Sequence, residues 1–216
     1  LGNDDAKSHL ALLKDKELDG KVFHLLHDKD AHINTRRVAG YSYVPLSPEI
    51  IAFKDWEKPD PPHDKSAYSA KLYLDGAPVE GYKSEGCDLV RMQFHLHDSL
   101  SIGKHLEQGL YTKDSKNTIY VFHAPPLGKG DEAIDFADDK NHAGSQAIYD
   151  FILHLQPLLT LSGHMHWTVH YSGVFKIKIG ATVCVAVGND PKPDSPWVVI
   201  FDTMDPRNTV KRFQIR

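Results

Sequence analysis

The stretch Leu158-Leu159-Thr160-Leu161-Ser162-Gly163-His164-Met165-His166-Trp167 runs an apolar segment straight into a glycine and two histidines. The apolar part does not alternate with polar residues, as expected of a strand covered on both faces, and such strands belong to parallel sheets. Just upstream, Ala147, Ile148, Phe151, Ile152 and Leu155 recur at helical spacing and stop before Pro157. Before that, Thr118-Ile119-Tyr120-Val121-Phe122 is a second unbroken apolar run. Strand, helix and strand in that order predict a parallel unit and hence an α/β fold, or more loosely α+β.

Both runs end in histidine, the first at His123 and the second at His164 and His166. In open α/β sheets, ligands bind in the loops at the carboxyl ends of the strands. A His-x-His that continues an extended segment sends both imidazoles to one side, and Gly163 just before it lets backbone or a metal approach closely. Pro125 and Pro126 end the other strand and fix its loop. His164 and His166 alone read equally as metal ligands or as a hydrogen-bonded structural pair. His95 and His97 share the spacing but occupy the polar phase of the alternating segment Leu89 to Asp98, so a solvated face is the better reading there.

The remaining chain is less regular. Residues 6–13 carry apolar side chains at helical spacing behind Asp4 and Asp5, predicting a short helix. Residues 21–27 and 36–44 read as an antiparallel strand pair around a turn at 28–34. Residues 45–86, with six prolines and scattered aromatics, form an irregular surface excursion within a single domain spanning 1–216. Ser99 to Leu110 suggests a helix capped by Asp98 or Ser99. The segments 182–188, 197–202 and 209–215 supply three further strands.

Composition excludes several classes of function. With 25 Lys and Arg against 29 Asp and Glu, the net charge of −4 gives no broad basic surface for nucleic acid. No run approaches the roughly eighteen apolar residues of a membrane span. Two distant cysteines indicate neither a disulfide framework nor a cysteine metal site, so a reducing cytoplasm is the default location. Fourteen histidines are many for 216 residues. Three imidazoles with oxygen ligands from an Asn-Asp-Asp turn would suit zinc, manganese or iron better than magnesium or calcium alone.

Gly2-Asn3-Asp4-Asp5, Phe122-His123-Ala124-Pro125-Pro126 and Gly163-His164-Met165-His166 together resemble, in order, the last three of five motifs of the calcineurin-like metallophosphoesterases. The connecting stretches 40–48 (GYSYVPLSP), 54–60 (KDWEKPD) and 141–148 (NHAGSQAI) look like those of its small bacterial-type branch. The resemblance implies a four-layer αββα sandwich, incomplete here at its N-terminus, with two divalent metal ions above the sheet ends. It makes Asn3 and His164 ligands of the second metal, His166 a ligand of the first, and His123 the lone histidine of the fourth motif, also a ligand. It further implies hydrolysis of a phosphomonoester or phosphodiester substrate by a hydroxide that the two metals activate.

Three departures follow from that resemblance. The first two family motifs are absent; Asp30-Ala31-His32 and Gly130 to Asp135 carry similar letters but follow the third motif, and read as turn and loop carboxylates. The chain is therefore expected to be a fragment whose missing opening would leave an apolar face and strand edges uncovered or bound to a partner, with oligomerisation possible. Asp4 stands where the family usually has the histidine that protonates the leaving group, and a nearby dication opposes protonation of a carboxylate. Asp5 or a substrate group could contribute instead. His142 is a candidate to touch phosphate or orient a ligand, or else a surface histidine capping a helix. The competing expectation is a non-catalytic protein-interaction scaffold retaining the fold, as in the retromer-subunit branch.

Overall fold

The computed structural model describes residues 1–3, 5, 9–16, 23–45, 56–58, 60, 72–74, 77–79, 82–85, 88–91, 101–138, 140–189 and 195–215. The two apolar runs form β9 (Thr118–Phe122) and β10 (Leu159–Ser162), which pair in parallel. They sit inside a six-stranded sheet with β1 (Asp30–Ile33), β2 (Arg36–Tyr41), β11 (Lys176–Ile179) and β12 (Thr182–Ala186). The order is β1-β2-β9-β10-β12-β11; the four inner strands run parallel and an antiparallel strand closes each edge. The structure is thus mixed α/β around a mostly parallel sheet.

Two helices, α1 (His9–Lys16) and α2 (Ile102–Leu106), precede β9, as does the single turn α3 (Gly109–Thr112). The crossover helix α4 (Gln146–Leu155) returns the chain from β9 to β10. Period-two alternation in the strands sorts their side chains between two layers. Ala39, Tyr41, Tyr120, Phe122, Cys184 and Ala186 face one way and pack on Ile102, Leu106, Tyr111, Ile148, Phe151 and Ile152 of the helical segments. Val38, Ile119, Leu159, Val183 and Val185 face the other way, with Val121 and Leu161 partly buried beside them. That second face is met by Val199, Phe201 and Val210 from a C-terminal ribbon of β13 (Trp197–Ile200) and β14 (Lys211–Gln214). Each large apolar side chain taken fully out of water contributes roughly 1.5–3 kcal/mol, so these two faces dominate the stability of the sheet.

The ends of α4 show why it starts and stops where the sequence says. Ser145 Oγ accepts from Ile148 N at 3.0 Å, the ordinary N-cap bond. The buried Asp60 carboxylate accepts from Gln146 N and Ala147 N at 2.9 and 3.0 Å, placing negative charge at the positive end of the helix dipole. At the other end Gln156 adopts a left-handed conformation and its amide donates to Ile152 O and Leu153 O.

Several expectations need correction. Residues 28–34 are not simply a turn: Asp30–Ile33 is β1, the antiparallel partner of β2, while His27 makes only an isolated parallel bridge to Gly40. The turn is tighter and later, at Asn34 and Thr35, with Asn34 in the left-handed region that a two-residue hairpin requires. Helix α1 covers His9–Lys16, and Ala6, where the expected helix begins, lies outside the described residues. Ser101 caps α2; Asp98, Ser99, His95 and His97 lie outside the described residues. Within 45–86 the reading as surface fails at Trp56, Glu57 and Asp60, which are buried, and β3 (Val44–Pro45) pairs in parallel with β4 (Glu57–Lys58). Two short hairpins follow, β5 (Leu72–Leu74) with β6 (Ala77–Val79) and β7 (Tyr82–Glu85) with β8 (Asp88–Arg91). The strand β11 was not expected at all, although Lys176-Ile177-Lys178-Ile179 alternates cleanly.

The edge strand β1 has little apolar burial, and what anchors it is the buried Arg37, which donates from Nε to Asp30 and from a terminal guanidinium nitrogen to Lys113 O and Thr118 Oγ1. The Arg37 hydrogen bond holds the Asp30 carboxyl below the usual carboxylate range. Because the folded pKa is depressed, this contribution is complete above the unfolded value near 3.9 and is lost as pH falls through the lower folded value. Solvent screening at the exposed Asp30 limits its size. Replacing Asp30 with Asn should therefore cost roughly 1 kcal/mol at neutral pH and leave a stability curve that falls less steeply as pH drops below about 5. Urea unfolding across that pH range checks both.

Candidate functional site

In register, Tyr41 lies beside Phe122, Phe122 beside Ser162, and Ser162 beside Ala186. All four parallel strands thus end along one line, and the residues just past it converge. His123 N donates to Tyr41 O at 2.8 Å and Gly163 N to His123 O at 3.1 Å, so the ladder extends one step into both histidine loops. A cleft of 580 Å³ opens at this edge, lined by residues that include Gly2, Asp5, His24, His27, His123 and Gly163.

The N-terminal turn closes onto this edge. Asp5 N donates to Gly2 O at 3.1 Å, and the Asp5 carboxylate accepts from Gly2 N at 2.8 Å. Trp56 Nε1 donates to Asp5 O at 2.6 Å and fixes the turn to the buried indole. Asn3 Oδ1 then sits 2.9 Å from His123 Nε2. A Cβ on Gly2 would lie 2.7 Å from His123 Cε1, closer than real contacts allow, so only glycine lets the turn approach the imidazole this closely. The His123 and His164 rings are 5.0 Å apart.

Burial pushes the His123 imidazole down to about 3, with the neighbouring His164 pushing further in the same direction and Asp5 opposing. Both downward effects keep the ring neutral, which is the state that binds metal. His166, exposed, exerts a smaller push on His123, which places it in the same electrostatic neighbourhood. Its carbonyl accepts from Asn189 N at 2.7 Å.

The route by which His164 reaches this position differs from strand alternation. The extended conformation ends at Ser162; Met165 N turns back to Gly163 O at 2.7 Å, and His164 has φ +64°. The expectation that an extended His-x-His aims both rings to one side is therefore replaced by a turn. Gly163 is not required by space either: a Cβ there would meet His123 Nδ1 at 3.6 Å, an ordinary contact. The strained residue is the histidine itself.

His142 has other partners. Its Nδ1 lies 2.8 Å from Asp135 Oδ1 and its ring packs on Phe136 at 4.5 Å. Asp135, fully buried, also accepts from Gly128 N and Gly144 N and so ties the loop together. Of the expected site residues, then, Asn3 meets His123 and His123 packs beside His164, His166 follows two residues on, and His142 is held by Asp135; of the four histidines only His123 lines the cleft. Asp4 lies outside the described residues. Among the described residues no three His, Cys, Asp or Glu side chains form a metal-holding group. The Asn3 amide oxygen and His123 Nε2 lie at ordinary hydrogen-bond distance.

Sequence reading overlooked Asp60 and Trp56, which stand in a proline-rich segment without periodicity, and the aromatic pair Trp167 and Tyr171, visible as an i, i+4 spacing directly after the second histidine.

No family model and no curated relative matches the chain. Among solved structures, one aligns at a TM-score of 0.56 and 16% identity, covering 100% of this chain and 64% of its own. Another, the TT1561 protein of Thermus thermophilus, aligns at a TM-score of 0.51 and 16% identity, covering 96% of this chain and 66% of its own. The chain therefore spans just under two thirds of these structures' length, and at such identity the likeness concerns the fold alone.

The left-handed His164 leads to a direct comparison. Alanine there keeps the strained conformation and glycine relieves it, so His164→Gly should unfold at higher urea than His164→Ala, by about 0.5–1 kcal/mol. Equal midpoints would show that the backbone relaxes when the imidazole is removed.

Proposed function

We propose that the chain carries the greater part of a metal-dependent phosphoesterase site of the calcineurin-like kind. The observation that carries this reading is the contact of His123 with both Asn3 and His164 at the shared carboxyl edge of parallel strands, with His164 held in a costly backbone conformation. Strain of that kind persists where the surrounding structure needs the side chain in one place.

The amide oxygen and neutral imidazoles fit a divalent cation of intermediate hardness, manganese, iron or zinc. Asn3, His123 and His164 would hold one ion, and His166 would help hold a second. Bound there, the cations supply a counter-charge for phosphate and lower the pKa of water toward neutrality. The chain's own residues do the rest by position. His123 and Gly163 hold the two loops in register, and the Asp5 to Gly2 turn presents Asn3. Asp4 takes the place in sequence from which the leaving group would receive its proton. The substrate is a phosphomonoester or phosphodiester. In this reading the C-terminal ribbon of β13 and β14 belongs to a second sheet over the Val121 and Leu161 face, the sheet needed for a four-layer αββα sandwich. A non-catalytic scaffold would need none of the imidazole geometry, and the strained His164 favours the enzyme.

Titration calorimetry with manganese, followed by assay of a p-nitrophenyl phosphate ester in the full-length protein, tests the proposal. Wild type should bind metal and release nitrophenol. His123→Ala should weaken binding by at least about tenfold and abolish turnover, in line with the loss of a direct ligand. Metal binding that is unchanged in His123→Ala, or turnover equal to wild type in His164→Ala, would refute it.

A further inference from the structure

Directly after His166 the chain enters α5 (Thr168–Ser172), with Trp167 at its N-terminal boundary. Trp167 and Tyr171 stand one turn apart with near-parallel rings, 17° between planes and 6.1 Å between centroids. Parallel rings in contact at that centroid distance are offset, overlapping at their edges and leaving much of each face uncovered by the other. His170 meets both edge-on, at 5.6 and 5.3 Å. The Tyr171 hydroxyl donates to Asp138 O at 2.9 Å, and the Lys140 ammonium stands 5.1 Å from the Tyr171 ring centre. Lys140 itself has φ +64° and is exposed.

A core packing role does not account for this group. Trp167 and Tyr171 are only partly buried and belong to neither apolar layer of the sheet. Tyr171 is anchored by the loop of Asp138 and Lys140, and Trp167 by its ring contacts with His170 and Tyr171. Covalent continuity puts Trp167 within one residue step, about 3.8 Å between Cα atoms, of His166. A flat, partly exposed indole that follows His166 directly in the chain, backed by a second ring, has the makings of a stacking platform for a planar ring attached to the phosphate ester.

We infer that Trp167, backed by Tyr171 and Lys140, is a specificity-determining subsite that stacks an aromatic ring in the alcohol portion of the phosphate ester, as a nucleoside would present. The inference rests on the phosphoesterase reading and narrows its substrate class. Stacking of this sort tolerates any base, because every base has a π-face, so the subsite selects rings over alkyl groups and does not select among bases.

Two esters with the same leaving group isolate the ring. Thymidine 5′-(p-nitrophenyl phosphate) and methyl p-nitrophenyl phosphate both release p-nitrophenol, and the ratio of their kcat/KM values in the manganese-loaded full-length protein is the readout. Wild type should favour the thymidine ester. Trp167→Ala should lower the ratio about tenfold, mainly through KM, and Trp167→Phe should restore most of it. A ratio is insensitive to a loss of folded protein, since both esters see the same sample. If both esters are hydrolysed and the ratio is the same in Trp167→Ala, the subsite is overturned while the phosphoesterase reading stands. If neither is hydrolysed, equilibrium dialysis of thymidine 5′-monophosphate decides: binding weakened about tenfold in Trp167→Ala supports the stacking site, and equal binding overturns it.

Discussion

Parallel pairing of β9 with β10 is the constraint from which the site follows. Antiparallel neighbours would send their ends to opposite edges of the sheet. Parallel neighbours must end on the same side, and the matched register of Phe122 with Ser162 makes them end at the same height. Two histidine loops widely separated in sequence are thereby delivered to one line, and the third component, the N-terminal turn, has only to close onto an edge that already exists. The cost of parallel pairing is a long crossover, met here by α4 with a cap at each end.

Once the strands fix the edge, two unfavourable terms are concentrated there. Burial disfavours a charged His123, and the left-handed backbone disfavours His164. Neither helps the fold. The first keeps the His123 imidazole neutral, and the second fixes where the His164 side chain leaves the backbone. The favourable terms that offset them lie elsewhere, in the two apolar faces of the sheet and in the Asp60 and Ser145 caps of α4.

The parts that the sequence disclosed were those whose signal is local and periodic. Residues 118–122, 146–155 and 159–162 are recognisable because unbroken apolar runs and a 3.6-residue repeat state their environment directly. Edge strand β1 was hidden because it is mostly exposed and carries no apolar alternation; its pairing depends on the left-handed Asn34 and on Arg37, whose partners lie up to 81 residues away. Trp56 and Asp60 were hidden for the same reason, since each acts across a long sequence separation on Asp5 or on the start of α4. The closeness of His123 to both Asn3 and His164 was expected from the order of three short motifs. Their geometry was not: strand alternation gave the wrong account of how His164 is aimed, because a single positive φ angle leaves no mark on a one-letter pattern.

Asp135 has a bearing on how this region moves. One buried carboxylate accepts from Gly128 N, Gly144 N and the His142 ring, while Phe136 N donates to Thr168 Oγ1 and Asp138 O accepts from Tyr171. Breaking any of the three bonds to Asp135 leaves a buried carboxylate partly unsatisfied, and the Phe136 and Asp138 backbone bonds tie the same loop to Thr168 and Tyr171 of α5, so the loop and the helix are coupled into one cooperative opening unit. The aromatic rings beside His166 therefore travel with that unit. Their placement is set by a single local unfolding equilibrium, and not by independent side-chain rotations.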